Sequence, residues 1–230
     1  MKVVILLAGY GSRLRASEPK SLVKFKNGRS ILDYQLEALT QFVSLQDIYM
    51  VVGFKKELIM ESAPSCTFVY NERFDRTNTA KSLLRALVRI DDDVLWLNGD
   101  VFFDSDVIKP VAEANENRIL VNRGSVADEE VCYTLDAVGR VQRLAKGLGA
   151  AAIGEAVGIN TIRRSDRTAL VSLLDEVGDQ DYFERAIELG IDRELFEFRP
   201  MDVGQRFVKE MDFQVDYDLI DQHLSVGGAQ

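Results

Sequence analysis

The residues whose types and spacing could do chemistry begin in LLAGYGSRLRASEPKSL, where Gly9 and Gly11 stand directly after an apolar run. Arg13 follows, and then Lys20 behind Pro19. Glycines in such a turn let backbone amides approach phosphate oxygens. Two fixed cations beside them could flank a triphosphate and stabilise charge growing on its α-phosphate and on departing pyrophosphate. Asp100 ends the apolar stretch DVLWLNGD, the position at which open α/β sheets gather their ligand chemistry. A carboxylate there can hold Mg²⁺ or cap the next helix. Asp212, in VKEMDFQVDYDLI, reads from its neighbours alone as solvated acidic surface before a C-terminal helix.

Several familiar sites are disfavoured. A dinucleotide-binding turn wants a third glycine where Leu14 stands, and no Walker A pattern occurs. The two cysteines, Cys66 and Cys132, form no C-x-x-C pair and read as inert thiols in or near the core. With one histidine, His223, they cannot build the usual zinc sites. His223 reads as a solvated helix residue, which disfavours triad chemistry. DSD at 104–106 has the D-x-D form of many glycosyltransferases, but it lies beyond the strand end and reads as a helix cap.

These residues need a frame. KVVILL at 2–7 is an apolar run ending in a turn, the pattern of a buried strand. Ser30 with Asp33 at capping-box spacing opens a helix through SILDYQLEALTQF. Strands are expected at 47–54, 66–70 and 93–100, with a helix from Thr79, another at 105–115, and a strand at 118–122. This alternation implies a largely parallel sheet covered on both faces. After about residue 125, VCYTLDAVGRVQRLA reads as two strands joined at AVGR, and AAIGEAVGINTI adds more β structure. Helices at 165–177 and 181–189, strands around 195–199 and 206–212, and a terminal helix complete the pattern, with 225–230 a flexible tail. The expected unit is a single domain over 1–224, with a nucleotide-binding half at 1–122 and an acceptor-binding half at 123–224.

A net charge of −9 argues against nucleic acid or an anionic membrane as partner. Against that background the first thirty residues carry seven Lys and Arg and one acid, Glu18, which suggests a pocket for a small anion. Lys24, Lys26 and Arg29 receive no role. No apolar run is long enough to span a bilayer, and VVILLAG is too short for a signal peptide, so a cytoplasmic protein is expected.

The opening segment resembles the nucleotidyltransferase superfamily of sugar-1-phosphate and phosphocholine-type enzymes, whose signature is roughly L-A-A-G-x-G-x-R-L followed by P-K-x-L. The chain matches it at Leu6, Ala8, Gly9, Gly11, Arg13, Leu14, Pro19, Lys20 and Leu22, and departs at Leu7, where alanine is usual. The resemblance extends over most of 1–220 and is densest in 1–22 and 94–102. It implies a Rossmann-like three-layer α/β/α sandwich with a mixed, mostly parallel sheet and a β-rich acceptor flap. It implies that Leu7, Ala8, Gly9, Gly11, Ser12, Arg13, Lys20 and Gly99 bind nucleotide, with Arg13, Lys20 and Asp100 catalytic. Asp100 and Asp212 become the ligands of a catalytic Mg²⁺.

YNERFDRTNTAKSL resembles the phosphocholine cytidylyltransferase segment N-x-x-Y-x-x-T-N-x-x-x-S-L, with Phe74 in place of tyrosine. That makes Asn78 and Ser82 nucleotide-binding candidates beside their ordinary reading as turn and cap residues, and it favours CTP. RVQRLAKGL and AIGEAVGINTI are similar to acceptor-lobe strands, which assigns Lys146 and Glu155 to the acceptor, with Tyr182 as an aromatic wall. Tyr133 and Phe183 are weighed as further walls or as core. Glu210, Asp216 and Asp218 are read as supporting or exposed. The implied reaction joins NMP from an NTP to a small phosphorylated acceptor, a sugar-1-phosphate, phosphocholine, an aminoalkylphosphonate, inositol phosphate or similar, by a monomer or homodimer. UTP or GTP donors, a molybdopterin-type acceptor, an NDP-sugar glycosyltransferase and a non-catalytic nucleotide-binding module are the rival readings.

Overall fold

The computed structural model describes residues 1–10, 18–124, 126 and 130–227. Its elements run β1 (Lys2–Leu7), α1 (Ile31–Leu39), β2 (Ile48–Val52), α2 (Lys56–Ser62), β3 (Thr67–Tyr70) and α3 (Thr79–Leu87). Then come β4 (Val94–Asn98), β5 (Val101–Phe103), α4 (Ile108–Ala112), β6 (Arg118–Asn122), β7 (Cys132–Leu135), β8 (Val141–Ala145) and β9 (Gly154–Ile162). The chain closes with α5 (Arg164–Glu176), α6 (Phe183–Asp192), β10 (Arg199–Asp202), β11 (Val208–Glu210) and α7 (Gln214–Gly227). Among the described residues, no helix is long and apolar enough to cross a membrane.

Strand order in the main sheet is β10-β6-β9-β4-β1-β2-β3. β1 pairs parallel with β2 and β4, while β9 runs antiparallel between β4 and β6. The β7–β8 hairpin hangs from β9 through Cys132 and Tyr133 and forms the β-rich flap. The fold is thus the expected mixed, mostly parallel α/β sandwich. Period-two alternation explains its layering: Val4 and Leu6 of β1 face the core under α3, α5 and α6, whereas Val3, Ile5 and Leu7 face the one under α1, α2 and α4.

The capping box at Ser30 forms as its spacing predicts, with the Asp33 amide donating to Ser30 Oγ at 3.3 Å and the Ser30 amide to the Asp33 carboxylate at 2.7 Å. Elsewhere the boundaries move. The strand expected at 195–199 lies at 199–202, and α2 was not anticipated. The strand expected over 206–212 narrows to Val208–Glu210, and 225–227 belong to α7. Tyr133 and Phe183 are core: Tyr133 is fully buried, and Phe183 packs edge-on against Trp96 at 5.7 Å.

Candidate active site

The site is assembled by two backbone devices at the carboxyl ends of β1 and β4. The Gly99 amide donates to Leu6 O at 3.0 Å, which draws the turn after β4 against the end of β1. A Cβ at residue 99 would stand 2.7 Å from that same Leu6 O and 2.2 Å from the Leu7 side chain, so only glycine fits there. Buried Gln35 of α1 then clamps the turn from beneath, donating to Asn98 O at 3.0 Å and Val101 O at 2.8 Å. Asp100 is left at the apex.

The late acidic segment arrives through a two-stranded ladder. β11 pairs antiparallel with β5, Glu210 opposite Val101, and the Met211 amide donates to Asp100 O at 2.9 Å. Asp216, buried at the start of α7, accepts from the amides of Asp212 and Phe213 at 3.0 and 2.7 Å and fixes the turn that carries Asp212. Asp100, Glu210 and Asp212 thereby converge, each offering a carboxylate oxygen within 4.8 Å of the others. The ammonium of Lys20, whose short helical turn starts behind Pro19, donates to Asp212 and lies 3.5 Å from Asp100.

Among the described residues, one cation, Lys20, stands among these three carboxylates. Burial pushes the Asp100 carboxyl upward and repulsion from Asp212 adds to this, with Lys20 working the other way. Glu210 is pushed up to about 9 by burial, then by Asp100 and Asp212. Lys20 is raised: burial disfavours its charge, but Asp100 and Asp212 together outweigh that cost. The residue set suits a hard divalent cation, since it offers only oxygen donors and carries more negative charge than Lys20 neutralises.

A cavity of about 250 Å³ opens over this cluster. Leu7, Ala8, Gly9, Lys20, Gly99 and Asp100 line one side, and Asn78 and Ser82 of the α3 start line another. A Cβ at Gly9 would meet nothing within 4 Å, so its backbone faces open space. Asn78 also caps α3, accepting from the Thr79 amide at 2.8 Å, and Ser82 accepts from buried Asn71 at 3.1 Å. Their capping and packing roles therefore coexist with a place in the cavity wall. Tyr182, Phe74 and Glu184 complete the far side.

Of the acceptor-side residues, Tyr182 lines the cavity, and Lys146 stands 5.1 Å from its ring centroid. Glu155 lies on β9 opposite Asn122 and Cys132 and is no part of this cavity's wall. Gly11, Ser12 and Arg13 lie outside the described residues.

Three readings are corrected. Glu210 is no bystander but a member of the carboxylate group. Asp104 does sit at the start of a helical turn, yet its side chain accepts from the Phe207 amide at 2.8 Å and pairs with His223 at 2.7 Å rather than capping. His223 in turn is half-buried and stacked on Phe207 at 4.1 Å, so it anchors α7 instead of standing in solvent. Glu210 was legible in principle, because it stands two residues before Asp212 at the end of a strand, where period two puts both on one side. Glu184 gave less warning, being an acid in the first turn of an amphipathic helix.

Family models match residues 3–166 to the MobA-like NTP transferase domain. The chain belongs to that family. Over 137 residues it is 34% identical to the bifunctional protein GlmU of Methanococcus maripaludis, a match covering 57% of this chain and 30% of that protein. The chain thus spans less than a third of the length of that relative. Two solved structures share the fold nearly end to end. The inositol-1-phosphate CTP transferase from T. maritima superposes with a TM-score of 0.79 at 16% identity, covering 96% of this chain and 95% of that one. The CTP:phosphocholine cytidylyltransferase LicC from Streptococcus pneumoniae gives 0.78 at 18% identity, covering 97% and 98%.

Proposed function

We propose that the chain transfers NMP from an NTP to a small phosphorylated acceptor and releases pyrophosphate. The observation that carries this reading is the Asp100, Glu210 and Asp212 group with Lys20 at the base of an open cavity, where β1 and β4 end. An acceptor phosphate oxygen attacks the α-phosphorus, forming one P–O bond as the bond to the bridging oxygen of pyrophosphate breaks. The attacking oxygen is already ionised at neutral pH, so the reaction needs no general base, in keeping with a site that holds no histidine among its described residues.

Lys20 is placed to meet charge gathering on the phosphates, and Arg13 is assigned the same duty from the resemblance alone. Gly9 and Gly99 provide backbone without side-chain bulk for close passage of the nucleotide, with Leu7 and Ala8 in that wall and Asn78 and Ser82 facing it, while Gly11 and Ser12 are assigned to the nucleotide from the resemblance alone. Asp100, Glu210 and Asp212 would hold Mg²⁺, which when bound supplies electrostatic stabilisation to the α-phosphate oxygens. Residues 1–122 serve the nucleotide and 123–224 the acceptor, where Tyr182 walls it and Lys146, beside that ring, meets its phosphate; Glu155, outside the cavity wall, is assigned to the acceptor from the resemblance alone. CTP is the favoured donor, supported by the TNTAKSL segment and by the substrates named for the two structural neighbours.

Pyrophosphate release tests the reading, with purified protein, Mg²⁺, each NTP in turn and a panel of phosphorylated acceptors. Acceptor-dependent release with one NTP is expected, reduced at least 100-fold by Asp100→Ala. Consumption of an NDP-sugar without pyrophosphate would overturn it.

A further inference from the structure

Of the charged residues that line the cavity among the described residues, Glu184 is the one that nucleotidyl transfer as described leaves without a task. It sits in the first turn of α6, only 8% exposed, and its Oε2 has no hydrogen-bond partner although it borders the cavity. Phe183 beside it is locked against Trp96, so the start of α6 is held by the core. A buried carboxylate oxygen without a donor is costly to maintain, and in the wall of a binding cavity the ligand is the natural source of that donor.

The surroundings add a charge argument. Lys146 is the basic group that acts on Glu184, and it also acts on half-buried Glu130, which in turn feels Glu155. Glu130 feels Lys209 as well, but Lys209 is already paired with Asp216 at 3.0 Å, so among the described residues three carboxylates stand against two lysines on this side. A neutral hydroxyl could bond Oε2 but would leave that imbalance untouched, and a quaternary ammonium would offset charge but bring no N–H. Phe74 and Tyr182 offer apolar surface for a short alkyl linker.

We propose that Glu184 determines acceptor specificity by binding a protonated amine carried on the phosphorylated acceptor. This inference rests on the nucleotidyl-transfer reading for its catalytic consequence, but the binding preference can be measured without turnover. The probes are 2-aminoethyl phosphate, its trimethylated form, 2-hydroxyethyl phosphate and glucose 1-phosphate, tested on the full chain with Mg²⁺. Aminoethyl phosphate is expected to exceed hydroxyethyl phosphate about 10- to 100-fold in kcat/KM, the worth of a charged hydrogen bond, with the trimethylated form between them. Glu184→Gln should erase that preference while leaving the KM for NTP and the melting temperature no worse.

Equilibrium binding of the amino and hydroxy phosphates, without NTP, separates the two ideas. An amine preference in binding that Glu184→Gln removes supports the assignment even if no pyrophosphate forms, in which case only the transfer reading fails. Equal binding of the two phosphates, a preference for glucose 1-phosphate, or a preference unchanged in Glu184→Gln overturns it.

Discussion

Replacing Glu184 by glutamine should stabilise the protein without ligand, and only above a definite pH. Burial pushes the Glu184 carboxyl from its ordinary 4.5 up to about 7, with Lys146 the charged group opposing the shift. A raised acid binds more protons folded than unfolded, so its contribution to stability falls as pH climbs from about 4.5 through about 7 and is constant beyond. At about 1.4 kcal/mol per unit, the full penalty is about 3 kcal/mol. Glutamine keeps the shape and carries no charge at any pH. Urea unfolding of both proteins, without metal or acceptor, should give equal stabilities near pH 4 and a variant about 3 kcal/mol more stable at pH 8.5. All other titrations are common to the two proteins, so the difference isolates this residue. Stability curves that run parallel across that range would refute the burial argument, and with it the idea that the cavity wall stores an uncompensated charge.

Two further outcomes follow from the carboxylate group and the turn beneath it. Lys20→Met leaves Asp100, Glu210 and Asp212 facing one another without a cation, so metal-free stability should drop by about 3 kcal/mol; Mg²⁺ should then raise the melting temperature of the variant more than that of the parent, and an equal shift in both would show that Lys20 does not stand in for a cation. Gly99→Ala places a methyl group 2.7 Å from Leu6 O, so the β4 turn must move at a cost of about 2 kcal/mol; an unchanged urea midpoint would contradict that geometry.

What could be read in the sequence was what local patterns decide. The β1 run, the Ser30 capping box and Asp100 after an apolar strand all depend on neighbours within a few residues, and each took its expected place. The hidden parts depend on distant ones. α2 buries only Ile59 within its own span, too little for a helical stripe to show. β10 contains Pro200, which argues against a central strand but is tolerated at an edge, and among the described residues β10 ends the sheet order, paired with β6. Glu210 and Glu184 look like ordinary surface acids along the chain. They become remarkable in energy only when the β5–β11 ladder and the packing of Phe183 carry them into the cavity.

The charge pattern of the cavity constrains what can enter it. Two acidic groups lie at or beside it among the described residues, each with fewer lysines than carboxylates: Asp100, Glu210 and Asp212 with Lys20, and Glu184, Glu130 and Glu155 with Lys146 and Lys209. They sense each other, since Asp212 raises Glu130 and Glu130 raises Glu210. Both substrates of the proposed reaction are phosphates, and a bare polyanion gains nothing from such a field. On the amine reading each brings positive charge with it, the nucleotide as its metal complex and the acceptor as a zwitterion. On this argument the acidic groups select by charge before any hydrogen bond forms, and they keep the two ligands apart. A cation bound in one group would repel a cation in the other, so Asp100 would hold the metal and Glu184 the amine, with the two phosphates between them.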